Sequence, residues 1–441
     1  MLQFIKKVLP KSLKKVLIAI KTKTIDSYQK KKLAKRMQVK HQELLVGLKG
    51  KEKIRVVFLA IHKSVWKVDT VFQRMLADPY FEPEILVCPY TPYGEERMLE
   101  DMEQAYSYFK DKGYPVKKTL NNDGSWVKLE EVQPDIVFFT NPHNLTRKEY
   151  YEDAYLKYLS CYVPYHHEVG SGGDVNVQFN QFFHNAMWRI YSTHKDSYDI
   201  FKKTSYRKGS NVEVTGFPAM EVYFEKKVSR CVWKNTDDRV RVIWAPHHTI
   251  SENNISYSNF IRYNDLFCKL ANEYKNKVVW AFKPHPILKS KLYIHKDWGV
   301  EKTNKYYDFW SENNFTQLED GEYSDLFLMS DAMIHDSGSF LGEYLYMMKP
   351  VMYLMSESNV KHAIEGYRVG DFTKFGVEAL KACEHGYDQE EIRAFIDNLI
   401  EDKNKVRDEH LSFLKVNVNP YFNKVRPSDR ILRNITAALK A

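Results

Sequence analysis

The stretch SDAMIHDSGSFLGEYLYMMKPVMYL, which begins at Ser330, constrains the fold more than any other part of the chain. The apolar run Ala332-Met333-Ile334 ends at His335-Asp336, and Ser337-Gly338-Ser339 turns the chain into a helix expected from about Phe340 to Met348. Lys349-Pro350 stops that helix, and Val351-Met352-Tyr353-Leu354 reads as the next buried strand. Strand, tight turn, helix and strand in that order make a βαβ unit, whose two strands lie parallel in one sheet. The turn leaves backbone N–H groups free at a helix N-terminus, a place suited to a phosphate or diphosphate. The plainer reading is a strand-to-helix turn with an ordinary serine cap.

The same alternation recurs along the chain. IRVVFLAIHKSVW from Ile54, PEILVCPY, QPDIVFFTNPHN, LSCYVPYHHEVGSGGD, WRIYST and VEVTGFP read as strands, with helical stretches near Asp69 to Leu76 and Glu95 to Lys112 between them. The polar stretch KKVSRCVWKNTDDR then separates a second series, VRVIWAPHHTI, KVVWAFKPHP and the Ser330 segment. From about Asp388 the chain reads as charged helices, and VRPSDRILRNITAALKA as a closing amphipathic helix. With 441 residues, two cores are the natural expectation. The expected architecture is α/β, with two Rossmann-like, doubly wound parallel sheets at residues 51–225 and 238–441 facing a cleft. A basic helical extension at residues 1–50 precedes them.

Charge is uneven. Twelve lysines and Arg36 against Asp26 give residues 1–40 a net +12, so the rest carries −3 of the overall +9. Positive charge therefore belongs to a tail and not to the body, which argues against nucleic acid as a partner. Leu9, Leu13, Val16, Leu17 and Ile20 recur at helical spacing among Lys7, Lys11, Lys14, Lys15 and Lys21. Such a helix suits an anionic membrane surface; the alternative is packing on its own protein with the lysines solvated. No run reaches the ~18 apolar residues that span a bilayer, and no secretory signal is legible. The five cysteines lie far apart with no CxxC pair, which fits reduced thiols in a cytoplasmic protein and neither disulfides nor zinc.

Three polar clusters in the second half each follow an apolar strand: Pro246-His247-His248, Lys283-Pro284-His285-Pro286 and His335-Asp336-Ser337-Gly338-Ser339. Ligands of open parallel sheets collect at the carboxyl ends of the strands, so the three clusters are expected to line one pocket. His166-His167 ends a strand in the first half. There is no GxGxxG, no GxxxxGK[ST] and no DxD-like pair at these strand ends, which disfavours dinucleotide chemistry, P-loop transfer and a metal-bound diphosphate. A diphosphate held without metal needs N–H groups, hydroxyls and cations, and Lys283, His285, Ser337 and Ser339 are of those types. Glu343 is placed to accept hydrogen bonds from a ribose diol or, alternatively, to favour the helix dipole.

WAPHHTI, FKPHP and the Ser330 segment together resemble the CDP-glycerol glycerophosphotransferase family of teichoic-acid and capsule-polymer enzymes. The resemblance implies a GT-B-like architecture, with acceptors on the N-terminal domain and the nucleotide donor on the C-terminal one. The family's TDYSS element corresponds to HDSGS here, with His335 in place of the threonine and Gly338 inside the element. Asp336, Ser337, Gly338 and Ser339, with His247, His248 and Lys283, are then expected around the donor. Glu343 and KPVM resemble the ribose-binding glutamate and GxP element of many GT-B enzymes. His285 matches the family's second catalytic histidine, and His166 or His167 stands nearest to the first. The implied reaction moves glycerol phosphate, or a related polyol phosphate, from a CDP-activated donor to a hydroxyl of a lipid-linked or polymer acceptor, releasing CMP. No cofactor or metal is expected, and the lysine-rich helix is expected to hold the protein peripherally at the cytoplasmic membrane face. A GT-B glycosyltransferase using a CMP- or UDP-linked sugar is the alternative.

Overall fold

The computed structural model describes residues 11–170, 175–225, 228, 230–250, 257–355 and 372–441. Leu9, the glycine-rich residues 171–174 and positions 226, 227 and 229 of the expected connection lie outside them, as do the side chains of residues 11–23.

Among the described residues two all-parallel sheets account for the strands. The first contains β1 (Ile54–Ala60), β2 (Phe81–Val87), β3 (Val116–Lys118), β4 (Ile136–Phe139), β5 (Leu159–Tyr162), β6 (Arg189–Ser192) and β7 (Val212–Val214), in the order β3-β2-β1-β4-β5-β6-β7. The second contains β8 (Val240–Ala245), β9 (Val278–Phe282), β10 (Thr316–Leu318), β11 (Ala332–His335), β12 (Val351–Leu354) and β13 (Glu384–Gly386), in the order β10-β9-β8-β11-β12-β13. Central strands such as IVFF in β4 and VVWAF in β9 are buried throughout, because helices cover both faces of a parallel sheet. In each sheet the order reverses beside the first strand, at β1/β4 and at β8/β11, and loops leaving neighbouring carboxyl ends diverge there to open a crevice.

Two helices depart from the expected division. The helix Pro427–Lys440 does not close the second domain: Ile431, Ile435 and Leu439 are buried in the core of the first sheet with Phe58, Phe72 and Phe138. Ser428 fixes its start, donating from backbone N and Oγ to the buried Glu221 carboxylate at 2.7 and 2.9 Å. The helix Lys11–Leu48 is continuous, but its later part is no free extension. Ala34, Met37 and His41 are buried, and Met37 joins the core on the other face of the first sheet. The pattern of Ala34, Met37, His41, Leu44, Leu45 and Leu48 repeats every three or four residues, so this half presents an apolar stripe that the domain covers.

Candidate active site

Adjacent strands β9, β8 and β11 deliver the three sequence clusters to one edge, and hydrogen bonds beyond the strands hold two of them together. Lys283 N donates to Trp244 O at 2.8 Å and His285 N to Pro246 O at 3.1 Å. The rings of His247, His248 and His285 consequently meet, with centroids 4.2 Å apart for His247–His248, 4.2 Å for His248–His285 and 5.3 Å for His247–His285. All three are half-buried. Burial first, then His248 and Lys291, lowers His247 to about 3; burial first, then His248, His247, Lys283 and Lys291, lowers His285 to about 3. His248 falls to about 4 through burial and Lys291.

The third cluster divides. His335 is fully buried at the end of β11, its Nδ1 accepting from Ser337 N at 3.2 Å. Asp336 is fully buried too. Its carboxylate accepts from His247 N at 2.6 Å and Asn259 N at 2.5 Å, so it anchors the histidine loop and has no face left for a diphosphate. Burial pushes this carboxyl up to about 7 against those two hydrogen bonds. Ser337 precedes the helix Gly338–Glu343 as its N-cap without bonding it through its side chain, and Ser339 is exposed. Glu343 sits at the far end of that helix, almost fully buried, accepting 2.6 Å from Tyr323 Oη. It is therefore not a first-turn residue facing the helix dipole.

The two strand-end histidines of the first domain differ sharply. His167 is fully buried where the domains touch, its ring 4.8 Å from Phe217, 5.0 Å from Phe375 and 5.6 Å from Tyr346. Gly342 makes this possible, because a Cβ there would come within 2.9 Å of the His167 side chain. Among the described residues neither His167 ring nitrogen has a hydrogen-bond partner, and burial drives its pKa well down. No acceptor hydroxyl can reach it. His166 is half-buried, with Nδ1 2.8 Å from His167 O. A carbonyl only accepts, so Nδ1 carries the proton and Nε2 presents a lone pair. Burial lowers its pKa, the carbonyl opposes that, and the charges of His143 and Lys67 lower it further.

The C-terminal histidines have the opposite polarity. Nδ1 of His248 receives Lys291 Nζ at 2.9 Å, and Nδ1 of His285 receives Ile287 N at 3.3 Å. Both donors are N–H groups, so each neutral ring carries its proton on Nε2. Nitrogens of His247, His248 and His285 lie within 4.8 Å of one another, close enough for a shared metal. A ligating imidazole, however, normally donates from its second nitrogen to an acceptor, and the second nitrogens of His248 and His285 face donors. The cluster fits an anion better than a cation.

Sequence reasoning missed Lys67, Tyr323, Asn259 and Lys291. Lys67, in the loop after β1, donates to Tyr323 Oη at 2.8 Å and joins the first domain to the Tyr323–Glu343 pair of the second. Its place after a buried strand was the available signal. Two cavities, of about 330 Å³ beside Arg407 and about 350 Å³ beside Trp126, contain none of these groups.

A sequence model of the family described as CDP-Glycerol:Poly(glycerophosphate) glycerophosphotransferase matches residues 178–437. Teichoic acid ribitol-phosphate polymerase TarL of Staphylococcus aureus (strain NCTC 8325 / PS 47) is 24% identical over 179 residues, covering 38% of this chain and 29% of that protein. The match thus spans less than a third of that relative. Among solved structures, a variant of the wall teichoic acid polymerase TagF superposes with a TM-score of 0.54 at 14% identity, over 97% of this chain and 98% of that one. UDP-GlcNAc 2-epimerase from Neisseria meningitidis bound to UDP-GlcNAc gives 0.54 at 17% identity, over 87% and 100%. These structural likenesses speak for the fold, two facing Rossmann-like domains of GT-B type.

Proposed function

The chain belongs to the CDP-glycerol:poly(glycerophosphate) glycerophosphotransferase family, a family of transferases, and from that premise we propose that it moves glycerol phosphate, or a related polyol phosphate, from a CDP-activated donor to an acceptor hydroxyl. The acceptor in this reading is a lipid-linked or polymeric cell-envelope chain. His166 Nε2 takes the hydroxyl proton as that oxygen attacks the β-phosphorus. The bond from the β-phosphorus to the bridging oxygen breaks, and CMP leaves with the electron pair. Nε2–H of His248 and His285, together with Lys283 and His247, offsets charge on the phosphates. Glu343 receives the ribose once Tyr323 gives way, and Asp336 acts by positioning.

The observation that carries this reading is the opposed polarity of the histidines: a lone pair at His166, N–H groups at His248 and His285. The test offers purified protein CDP-glycerol, CDP-ribitol and CMP- and UDP-sugars, and follows nucleotide release. CMP from a CDP-polyol is expected, falling about a hundredfold in His285→Ala. Release from a nucleotide sugar instead would make the protein a glycosyltransferase.

Among the described residues no helix is long and apolar enough to cross a membrane. The basic tail supports peripheral attachment to an anionic cytoplasmic membrane face. Removing residues 1–23 sheds seven lysines and none of the described packing. Vesicle binding should drop, at about 1 kcal/mol per surface-held lysine, while turnover of a soluble acceptor persists. A truncated protein that still pellets with anionic vesicles would place the anchor in the body.

A further inference from the structure

Lys67 is a half-buried cation with a neutral partner. Its ammonium donates to the Tyr323 hydroxyl at 2.8 Å, that hydroxyl donates onward to Glu343 at 2.6 Å, and among the described residues no carboxylate closes an ion pair with Lys67. Lys283 approaches the same ring from the other domain: the Tyr323 centroid lies 5.0 Å from Lys67 Nζ and 6.0 Å from Lys283 Nζ. The two lysines leave the carboxyl ends of β1 and β9, one in each sheet. The charge of Lys67 acts on His166, Lys283 and Glu343 alike, which puts it among groups of both domains. Lys283 has acids of its own nearby in Glu319, Asp320 and Glu322, and these help it stay charged against burial. Among the described residues the carboxyl on which the Lys67 charge acts is Glu343, whose Oε2 already accepts from Tyr323.

A half-buried ammonium facing a phenol oxygen gains by exchanging it for an anion, because charge-assisted bonds are shorter and roughly twice as strong as neutral ones. We propose that Lys67 is a phosphate-binding residue of the transfer site, supplied by the first domain: when a phosphate or diphosphate group enters between the sheets, its ammonium leaves Tyr323 for a phosphate oxygen opposite Lys283. This rests on the reading that the cleft accepts a diphosphate donor, and adds to it a contact from the acceptor side. The same chemistry is offered by the donor's diphosphate and by a phosphate terminus of the acceptor.

Titration calorimetry on the full chain separates these sources with two probes, inorganic pyrophosphate and glycerol 3-phosphate. Lys67→Gln keeps an N–H for Tyr323 but loses the charge, so a purely structural role would survive it. Its affinity for at least one probe should fall about tenfold, a loss of about 1.4 kcal/mol. Lys67→Arg should stay within about threefold of wild type, as should Lys63→Gln, an exposed lysine of the same loop. Loss for pyrophosphate assigns the donor, and loss for glycerol phosphate alone assigns the acceptor. If Lys67→Gln fails to fold, Lys67→Met carries the same expectation. Unchanged binding of both probes in a folded charge-removing variant, or a wild type that binds neither, would overturn the proposal. The donor reading fails separately, if wild type binds pyrophosphate through Lys67 yet releases no CMP from any CDP-polyol.

Discussion

His166-His167 and His247-His248 are the same dipeptide at the same kind of place, the end of a buried parallel strand, yet the structure uses them differently. In the first pair one ring is sealed between the domains and the other shows a lone pair. In the second both rings are half-buried, and they join His285 to form a cluster. A histidine's role is thus set less by its own position than by what its second nitrogen meets. A carbonyl makes an acceptor of the free nitrogen, and a backbone N–H or an ammonium makes it a donor.

The strongest way to break this contrast is to substitute the members of the first pair one at a time. His166→Ala should lose roughly a hundredfold to ten-thousandfold in turnover, with the fold intact. His167→Leu removes two unpaired buried nitrogens and should leave turnover near wild type. If His167→Leu is dead and His166→Ala active, the assignment is reversed. Next in size is the support of the second pair. Asp336→Asn offers one acceptor oxygen where two N–H groups now bond, so pyrophosphate affinity should fall on the order of tenfold or more. Wild-type affinity in that variant would mean that the loop holds without its anchor. The smallest effect is with pH, and here the two regions oppose each other. An arriving anion raises the empty-site values of about 3, 4 and 3 for His247, His248 and His285, so binding takes up protons. Pyrophosphate affinity therefore weakens as pH rises through the bound-state values, measured by calorimetry between about pH 5 and 8. In the proposed role as base His166 must be neutral, so kcat/KM is expected to rise with pH until its lowered pKa is passed. Two limbs that bend the same way would show that both regions titrate in one role.

What the sequence disclosed follows from burial. Strands with apolar runs, such as IRVVFLA and VVWAF, were legible because both their faces are covered. Missed β3, β10 and β13, with sequences VKK, TQL and EHG, are short sheet edges, where pairing needs only one partner and no apolar run. The histidines after β8 and β9 were found because strand ends are where a crevice opens. The burial of His335 and Asp336 was not, since residues on and just beyond a strand look alike until the register is known. The Lys67–Tyr323 contact joins residues from different domains, and no local pattern announces it.

The helix Pro427–Lys440 has a consequence for how the protein is made. The core of the first sheet includes Ile431, Ile435 and Leu439, which leave the ribosome only after every residue of the second sheet. Domains generally fold as units during synthesis, earliest part first, but this one must wait. Its apolar face stays open while the second domain is being translated, a window for holding factors or for aggregation. Removing the turns that carry Ile431, Ile435 and Leu439 would therefore damage the domain built first.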